Sequence, residues 1–398
     1  MFLPFKPVSI SLSPNVQKDD VVLALKLLFQ PWKWAGHKSA PAVKKLEEEF
    51  AKYLGVKYAV SFNSGRSSMY AILRALELPK GSDVKIQAFT CNAVANPILW
   101  AGLNPVYVDC DNDFNAVSGV DIVQHTFGLP NEKALNKQVI EDCAHALGAE
   151  INGKKVGTFG KAGFFSFSRD KVISCVYGGM AVTNDDELGK KLQALQKEFG
   201  MPGMAWIKQQ ILHPTLLYFI ILPLYNFINL GKVFLVVSQW LHILSKAVSF
   251  KEKRGQRPDY FPKALPNALA AMALNQFKKL ETFNAHRKKI AEFYYQELTG
   301  TKFILPRKEN NIFLRFAVQH KQAHEILYAA WHQQNILLGD WYRSPIDPFD
   351  TKLEEMKYVP GRCPNAERLA KTALNLPTHI NISIDDAKRI VNFLKQWN

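Results

Sequence analysis

Three short stretches carry the residues with the clearest chemical potential. In "FFSFSRDKVISCVYGGMAVTND", Phe164 to Asp185, Lys171 stands between an aromatic run that reads as a buried strand and a Gly178-Gly179 pair that reads as a tight turn. An amine in a partly desolvated pocket is pushed toward its neutral, nucleophilic form and can condense with an aldehyde. In "VIEDCAHALGA", Val139 to Ala149, Asp142 ends an apolar strand. A carboxylate there needs a cation or a strong donor, and a protonated pyridine nitrogen is one such partner. In "FNSGRSS", Phe62 to Ser68, a polar turn leads from a strand into a helix. Amides at a helix N-terminus, with the hydroxyls of Ser64, Ser67 and Ser68, would cradle a phosphate. Each stretch also has a plainer reading: a solvated lysine, an aspartate capping the next helix, serines capping theirs.

Positioning these groups falls to an alternation of strands and helices. "KYAVSF", "VKIQAF", "PVYVDC", "DIVQHTF", "QVIEDCA", "KAGFFSFS" and "GGMAVTN" read as short strands, with helices such as "SSMYAILRALEL" and "NAVANPILWAG" between the early ones. Such alternation predicts an α/β fold with a mostly parallel, doubly wound sheet. Ligands of such sheets sit beyond the carboxyl ends of the strands, which would gather the turn after "AVSF", the end of "VIED" and the Lys171 loop. Helices are expected at "DDVVLALKLLF" and "APAVKKLEEEFAKYLG", and one long helix over "NALAAMALNQFKKLETFNAHRKKIAEFYYQEL". The mixed α+β tail beyond it predicts a smaller C-terminal domain. The expected division is 1–205 for the large α/β domain, 206–256 for an apolar helical insertion, and 257–398 for the connecting helix and small domain.

At 398 residues and 47% hydrophobic, the chain is long enough to bury a large core. Its net charge of +15 favours phosphate-bearing ligands or an anionic surface. No nucleic-acid-binding signature accompanies that charge, so nucleic acid is not an expected partner. Five widely spaced cysteines without a CxxC pair suggest neither a disulfide framework nor a zinc site, so no metal is expected and a reducing cytoplasm fits. The opening "MFLPFKPVSISLSPN" lacks the pattern of a secretory leader.

Taken in order, the three stretches resemble the DegT/DnrJ/EryC1/StrS family of sugar aminotransferases, fold-type I enzymes that depend on pyridoxal 5'-phosphate. The resemblance extends over nearly the whole chain, including "KKLEEEFAKYLGVKYAV", "AFTCNAVANPILWAGLNPVYVD", "QHTFG", "VIEDCAHALGAEINGKKVGTFGKAGFFSFSRDK" and "NLPTHINIS". It makes Lys171 the amine that captures the cofactor aldehyde and shuttles protons, and Asp142 the partner of the pyridinium. It places His145 close to the ring and its phenolate oxygen, and Ser166 at the phosphate with Gly65, Arg66 and Ser67. His379, in the "LPxH" segment, and Tyr177 would lie toward the substrate. The resemblance also implies a homodimer.

The chain departs from the family pattern at several points. Ser168 replaces a histidine, Val176-Tyr177 replaces Gly-Glu before the glycine pair, and Cys91 stands where an aromatic usually stacks on the ring. "YFPKALP" replaces a segment that reaches a neighbouring subunit's phosphate in relatives, which leaves Lys263 as a substitute. Relatives that dehydrate sugars carry histidine at the lysine position; this chain keeps Lys171. The resulting expectation is an aminotransferase that aminates a nucleotide- or lipid-linked keto-sugar, with glutamate as donor. The alternatives are a non-catalytic binding or regulatory protein on the same fold and, less favoured, a dehydratase.

Between the two domains, Gln209 to Gly231 carries no Asp, Glu, Lys or Arg. Pro214, Pro223, Asn226 and Asn229 argue against a single membrane span. Two helices, 206–222 and 224–244, joined at Pro223, would instead form a hairpin through which 206–250 contacts the cytoplasmic face of a membrane, or packs against a second subunit.

Overall fold

The computed structural model describes residues 6–36 and 41–398. The very start of the chain, on which part of the leader reading rests, and Ala40, the first residue of "APAVKKLEEEFAKYLG", lie outside the described residues. Two N-terminal helices, α1 (Lys18–Leu28) and α2 (Pro41–Leu54), precede the sheet. The sheet strands are β1 (Tyr58–Phe62), β2 (Asp83–Gln87), β3 (Asn104–Val108), β4 (Ile122–Gln124), β5 (Ile140–Asp142), β6 (Ala162–Ser166) and β7 (Gly179–Thr183). They pair in the order β1-β7-β6-β5-β4-β2-β3. All neighbours are parallel except β7, which runs antiparallel to both β1 and β6.

Apolar runs such as "AGFFS" form strands here because both faces of the sheet are covered. Phe165 packs edge-on against Phe50 of α2, with centroids 5.0 Å apart, while its neighbour Phe164 joins the core on the opposite face with Met69 and Ile72. That opposite face is covered by α3 (Gly65–Ala75), α4 (Asn92–Trp100) and α5 (Asp186–Phe199).

The long helix expected after residue 265 is two helices, α8 (Asn267–Phe277) and α9 (Leu280–Leu298), if α6 (Met204–Leu216) and α7 (Leu230–Trp240) are counted in the insertion before them. The break falls where polar side chains are drawn back onto α1. Gln276 donates to Asp20, and Lys279 ion-pairs with Asp19 and Asp20. In the C-terminal unit, Phe316–Gln319 pairs antiparallel with Ala373–Leu376 over a core of Tyr294, Phe316 and Ile390. Val8 and Ser9 join this unit by pairing with Ile336 and Leu337.

The insertion is helical, but its second helix starts at Leu230, later than expected. Pro214 sits inside α6 and supplies no N–H, and the helix widens into a π turn over Leu217–Ile221. Turns follow to Asn229, whose φ of 58° lies in the left-handed region. Gly231 is required at the crossing that follows, because a Cβ there would meet Ile221 O at 2.3 Å. Among the described residues no helix is long and apolar enough to cross a membrane.

Candidate active site

The carboxyl ends of the strands converge on one cavity. Gly65 and Arg66, Cys91, Asp142 and His145, Ser166, Lys171 and Tyr177 all line it, as do Ala247 and Val248 from the insertion. Each reaches the cavity for a local reason.

Lys171 sits on a loop held from below by buried polar groups. Asn15 Nδ2 donates to Lys171 O at 2.6 Å, and the Arg287 guanidinium donates to Val172 O and Asn15 Oδ1. Gln276 Oε1 accepts from Ser174 N at 2.8 Å. The glycine pair closes the loop: a Cβ on Gly179 would collide with Ser64 O at 2.5 Å, so glycine lets β7 lie against the first turn of α3. The loop thereby brings the amine to the cavity that the start of α3 also lines. Burial lowers the Lys171 ammonium from 10.5 to about 8, against the opposing pull of Cys91 and Asp142. The amine is therefore largely neutral just above pH 8. In the cofactor-free protein, the rate of aldehyde capture should climb as pH approaches 8 and level off beyond it. Stopped-flow absorbance after mixing with cofactor measures this, and a rate still climbing past pH 10 would contradict the assigned desolvation.

Asp142 ends β5, buried, with Oδ1 accepting the Ala144 N–H at 3.0 Å. Burial raises its pKa, offset by that bond, Lys171 and His125. Its neighbour Glu141 faces the other way and is fully used, accepting the N–H groups of Gly157, Phe159 and Gly160 and lying 3.3 Å from His125. Although His125, Glu141 and Cys143 lie close enough to share an ion, these backbone bonds already satisfy the carboxylate. His145 accepts the Phe127 N–H at Nδ1, 3.2 Å, and burial depresses its pKa well below 6.5, so the ring is neutral with its proton on Nε2.

At the other end of the cavity, Ser64 caps α3 by accepting Ser67 N at 3.0 Å. The first-turn amides belong to Gly65 and Arg66. A Cβ on Gly65 would meet Ser166 Cβ at 2.9 Å, so glycine allows the helix to sit against the serine. Ser67 itself is turned away: its Oγ donates to Asn63 Oδ1 at 2.7 Å, and it does not line the cavity. Arg66 lines the cavity, but its guanidinium is ion-paired with buried Glu252 and donates to Ala247 O. Lys263 Nζ donates to Phe199 O at 3.0 Å.

His379 lies in a different cavity, with Nε2 bonded to Ser9 O at 2.8 Å and its pKa down to about 3 through burial. Tyr177 does line the site, its hydroxyl donating to Lys246 O and Ala247 O. Cys91 lines it as well, but its sulfur accepts Ala93 N and caps α4.

Four residues that line the cavity, Trp341, Gln124, Asp170 and Tyr342, went unassigned in the sequence. Trp341, from the C-terminal unit, stacks on His145 with centroids 5.3 Å apart, and Lys171 Nζ stands 4.8 Å from the indole centroid. Arg315 covers the indole at 3.3 Å, and Asn375 fixes the Trp341 backbone through both N–H and C=O. Gln124 is oriented by Thr90 and Thr126. Asp170, beside the lysine, has a buried Oδ1 with no hydrogen-bond partner, and Tyr342 completes the wall beside Trp341. The quoted stretches "QHTFG" and "FFSFSRDK" contain Gln124 and Asp170, and nothing pointed to the other two.

The residues present fit pyridoxal phosphate. A desolvated amine and a buried carboxylate share one cavity, and a glycine-dependent helix N-terminus beside Ser166 offers the phosphate its amides. The unpartnered Asp170 oxygen marks the cavity as built for a polar ligand.

Comparison with known proteins agrees. The family model described as the DegT/DnrJ/EryC1/StrS aminotransferase family matches residues 32–125, 132–214 and 258–395. The chain is 29% identical over 377 residues to the UDP-N-acetyl-3-dehydro-alpha-D-glucosamine 3-aminotransferase of Acidithiobacillus ferrooxidans, covering 89% of this chain and 88% of that one. It is 26% identical over 396 residues to the GDP-perosamine synthase of Vibrio cholerae, covering 89% and 90%. Among solved structures, Helicobacter pylori PseC superposes with a TM-score of 0.70 at 21% identity, covering 98% of this chain and 99% of that one. The dehydratase ColD superposes with a TM-score of 0.72 at 20% identity, covering 98% and 100%, a likeness of fold. The protein belongs to the DegT/DnrJ/EryC1/StrS aminotransferase family.

Proposed function

We propose that the protein moves an amino group from glutamate to the keto carbon of a sugar carried by a nucleoside diphosphate or a lipid diphosphate, in the making of a surface polysaccharide or glycoconjugate. The observation that carries this reading is the placement of the Lys171 amine and the Asp142 carboxylate on one cavity with the N-terminus of α3. The bound cofactor supplies an aldehyde and an electron-withdrawing ring. The buried Asp142 carboxylate would hold the proton of the ring nitrogen. Lys171 Nζ, neutral near pH 8, takes a proton from the donor's α-carbon and later gives one to the sugar carbon. His145 offers its Nε2–H, and the Gly65 and Arg66 amides with Ser166 would hold the phosphate. Keeping a lysine where dehydrating relatives carry histidine favours amination over dehydration. Family kinship supports a homodimer, and the apolar insertion supports seating at the cytoplasmic face of a membrane.

Mixing the holoenzyme with glutamate tests the first half: the aldehyde-form absorbance should give way to the amine form, with release of 2-oxoglutarate. An unchanged spectrum with glutamate, glutamine and aspartate alike would favour the non-catalytic alternative. Trp341 stands where the sugar would meet Lys171, so Trp341→Ala should raise KM for the keto-sugar about tenfold, the worth of one aromatic contact. Steady-state kinetics read this against the glutamate half-reaction, which should keep its rate; equal losses in both halves would make Trp341 a support for the cofactor instead.

A further inference from the structure

The surface of the insertion is unlike the rest of the molecule. From Phe199 to Lys251 the chain has no acidic residue, while Lys208, Lys232, Lys246 and Lys251 fall within it. α7 is seated by one narrow side. Gly231 crosses the turn at Ile221–Tyr225 and donates to Leu224 O at 2.8 Å, and buried Ser238 accepts from Ile243 and Leu244 through its carbonyl. Leu244 then packs against Leu217 and Ile221. Phe234 and Leu235 pack partly against the same cluster, and the opposite side of the helix with its exit is apolar and open to solvent: Val233, Val236, Val237, Trp240, Leu241 and Ile243 are all exposed, Val236 by 64% and Trp240 by 75%. Monomeric proteins rarely show a contiguous apolar patch beyond a few hundred Å² unless something binds there.

We propose that this face of α7 docks on an anionic lipid surface. The inference deepens the membrane seating of the proposed function and rests on that reading. Charge chooses the occupant. A second copy paired about a twofold axis would bring the same acid-free, lysine-bearing segment against itself, and like charges would repel. Anionic headgroups would instead be attracted, by about 1 kcal/mol for each lysine near the surface. The mode is lying, not crossing, because the described helices are too short or too polar to span. Trp240 has the amphipathic ring that suits the headgroup boundary, and exposed Phe250 with Arg254 4.1 Å above its ring extends the same apolar and cationic pairing past the helix. The family model leaves 215–257 unmatched, so this surface lies outside the part common to the family. The segment that follows it, Ala247 and Val248, walls the cofactor cavity, which places the lipid face and the site on one continuous stretch of chain.

The test is sedimentation of the holoenzyme with phosphatidylcholine vesicles, with and without phosphatidylglycerol, alongside Val236→Glu and a Val233→Ser/Trp240→Ser pair. Both variants change exposed side chains, and retained cofactor absorbance and melting temperature establish that they fold. Wild type should partition at least about tenfold better onto the anionic vesicles, as expected for several lysines near the surface, and both variants should lose that binding. Binding by the variants equal to wild type would overturn the docking face while leaving membrane seating intact. Absence of wild-type binding to either vesicle would overturn the seating itself, with transamination unaffected. Self-association that the variants abolish, without vesicle binding, would assign the face to a second copy and overturn the proposal.

Discussion

Replacing Lys171 by alanine is expected to abolish transamination, with a fall of about 10^4-fold or more, because the same nitrogen both anchors the cofactor and moves the proton. Borohydride should fix the cofactor covalently to the wild-type chain and fail to do so in the variant, a readout that does not depend on turnover. The protein itself should remain folded. The loop is held by Asn15, Arg287 and Gln276 through its backbone, and those bonds do not involve the lysine side chain. Burial of the ammonium is unfavourable, since the folded value of about 8 lies below the 10.5 of an exposed lysine. The unfolded chain therefore holds more protons between those two values, and wild-type stability rises with pH through that window. Compared without cofactor, where the amine is free, Lys171→Ala should lose this pH dependence and be at least as stable as wild type at pH 7. A variant that still turned over glutamate at near wild-type rate would place the chemistry elsewhere. Asp142→Asn should leave the cofactor bound but cost about 10²–10³-fold, since an amide cannot hold the ring-nitrogen proton as a carboxylate does. Together the pair separates anchoring from electronics.

Much of this site was legible because its chemistry is local in sequence. A helix start, a strand end and a lysine loop each announce themselves by polar residues placed at the edge of apolar runs. The sheet topology then brings them together, since parallel strands share their carboxyl ends. Trp341 was illegible for the opposite reason. It reaches the cavity because Ile346–Asp347 pairs with Thr90–Cys91, a two-residue contact between distant parts of the chain that no periodicity announces. The orientation of Ser67 was hidden too: whether a serine faces a ligand or an asparagine depends on its rotamer, and here Asn63 takes it. In the insertion, the apolar run read as two helices meeting at Pro223. The later start of α7 follows from the left-handed backbone at Asn229 and the close crossing at Gly231, both set by tertiary packing. His379 carried a family motif but faces Ser9, because the N-terminal strand it bonds to belongs to the C-terminal unit.

Glu252→Gln should lower the stability of the protein by about 3–5 kcal/mol, the range for breaking one partner of a buried ion pair. Arg66 and Glu252 are 7% and 0% exposed, so neither charge has water to fall back on. The Arg66 guanidinium lies over the Phe261 ring at 4.6 Å and gives a second bond to Ala247 O, but neither supplies a full negative charge. Glu252 in turn accepts Ser249 N at 2.9 Å, and its backbone carbonyl accepts from Asn96 at 3.0 Å, so it ties the first turn of α3 and helix α4 to the end of the insertion. Loosening it should therefore reach the cavity wall at Ala247 and Val248 and speed cofactor loss as well as unfolding. Urea denaturation of Glu252→Gln, Arg66→Met and the double variant separates the causes. Removing both charges should recover much of the loss, because no unpaired ion is then left buried. If the double variant is as unstable as the sum of the singles, the two residues act through separate contacts, and Arg66 is free to serve the cofactor phosphate directly.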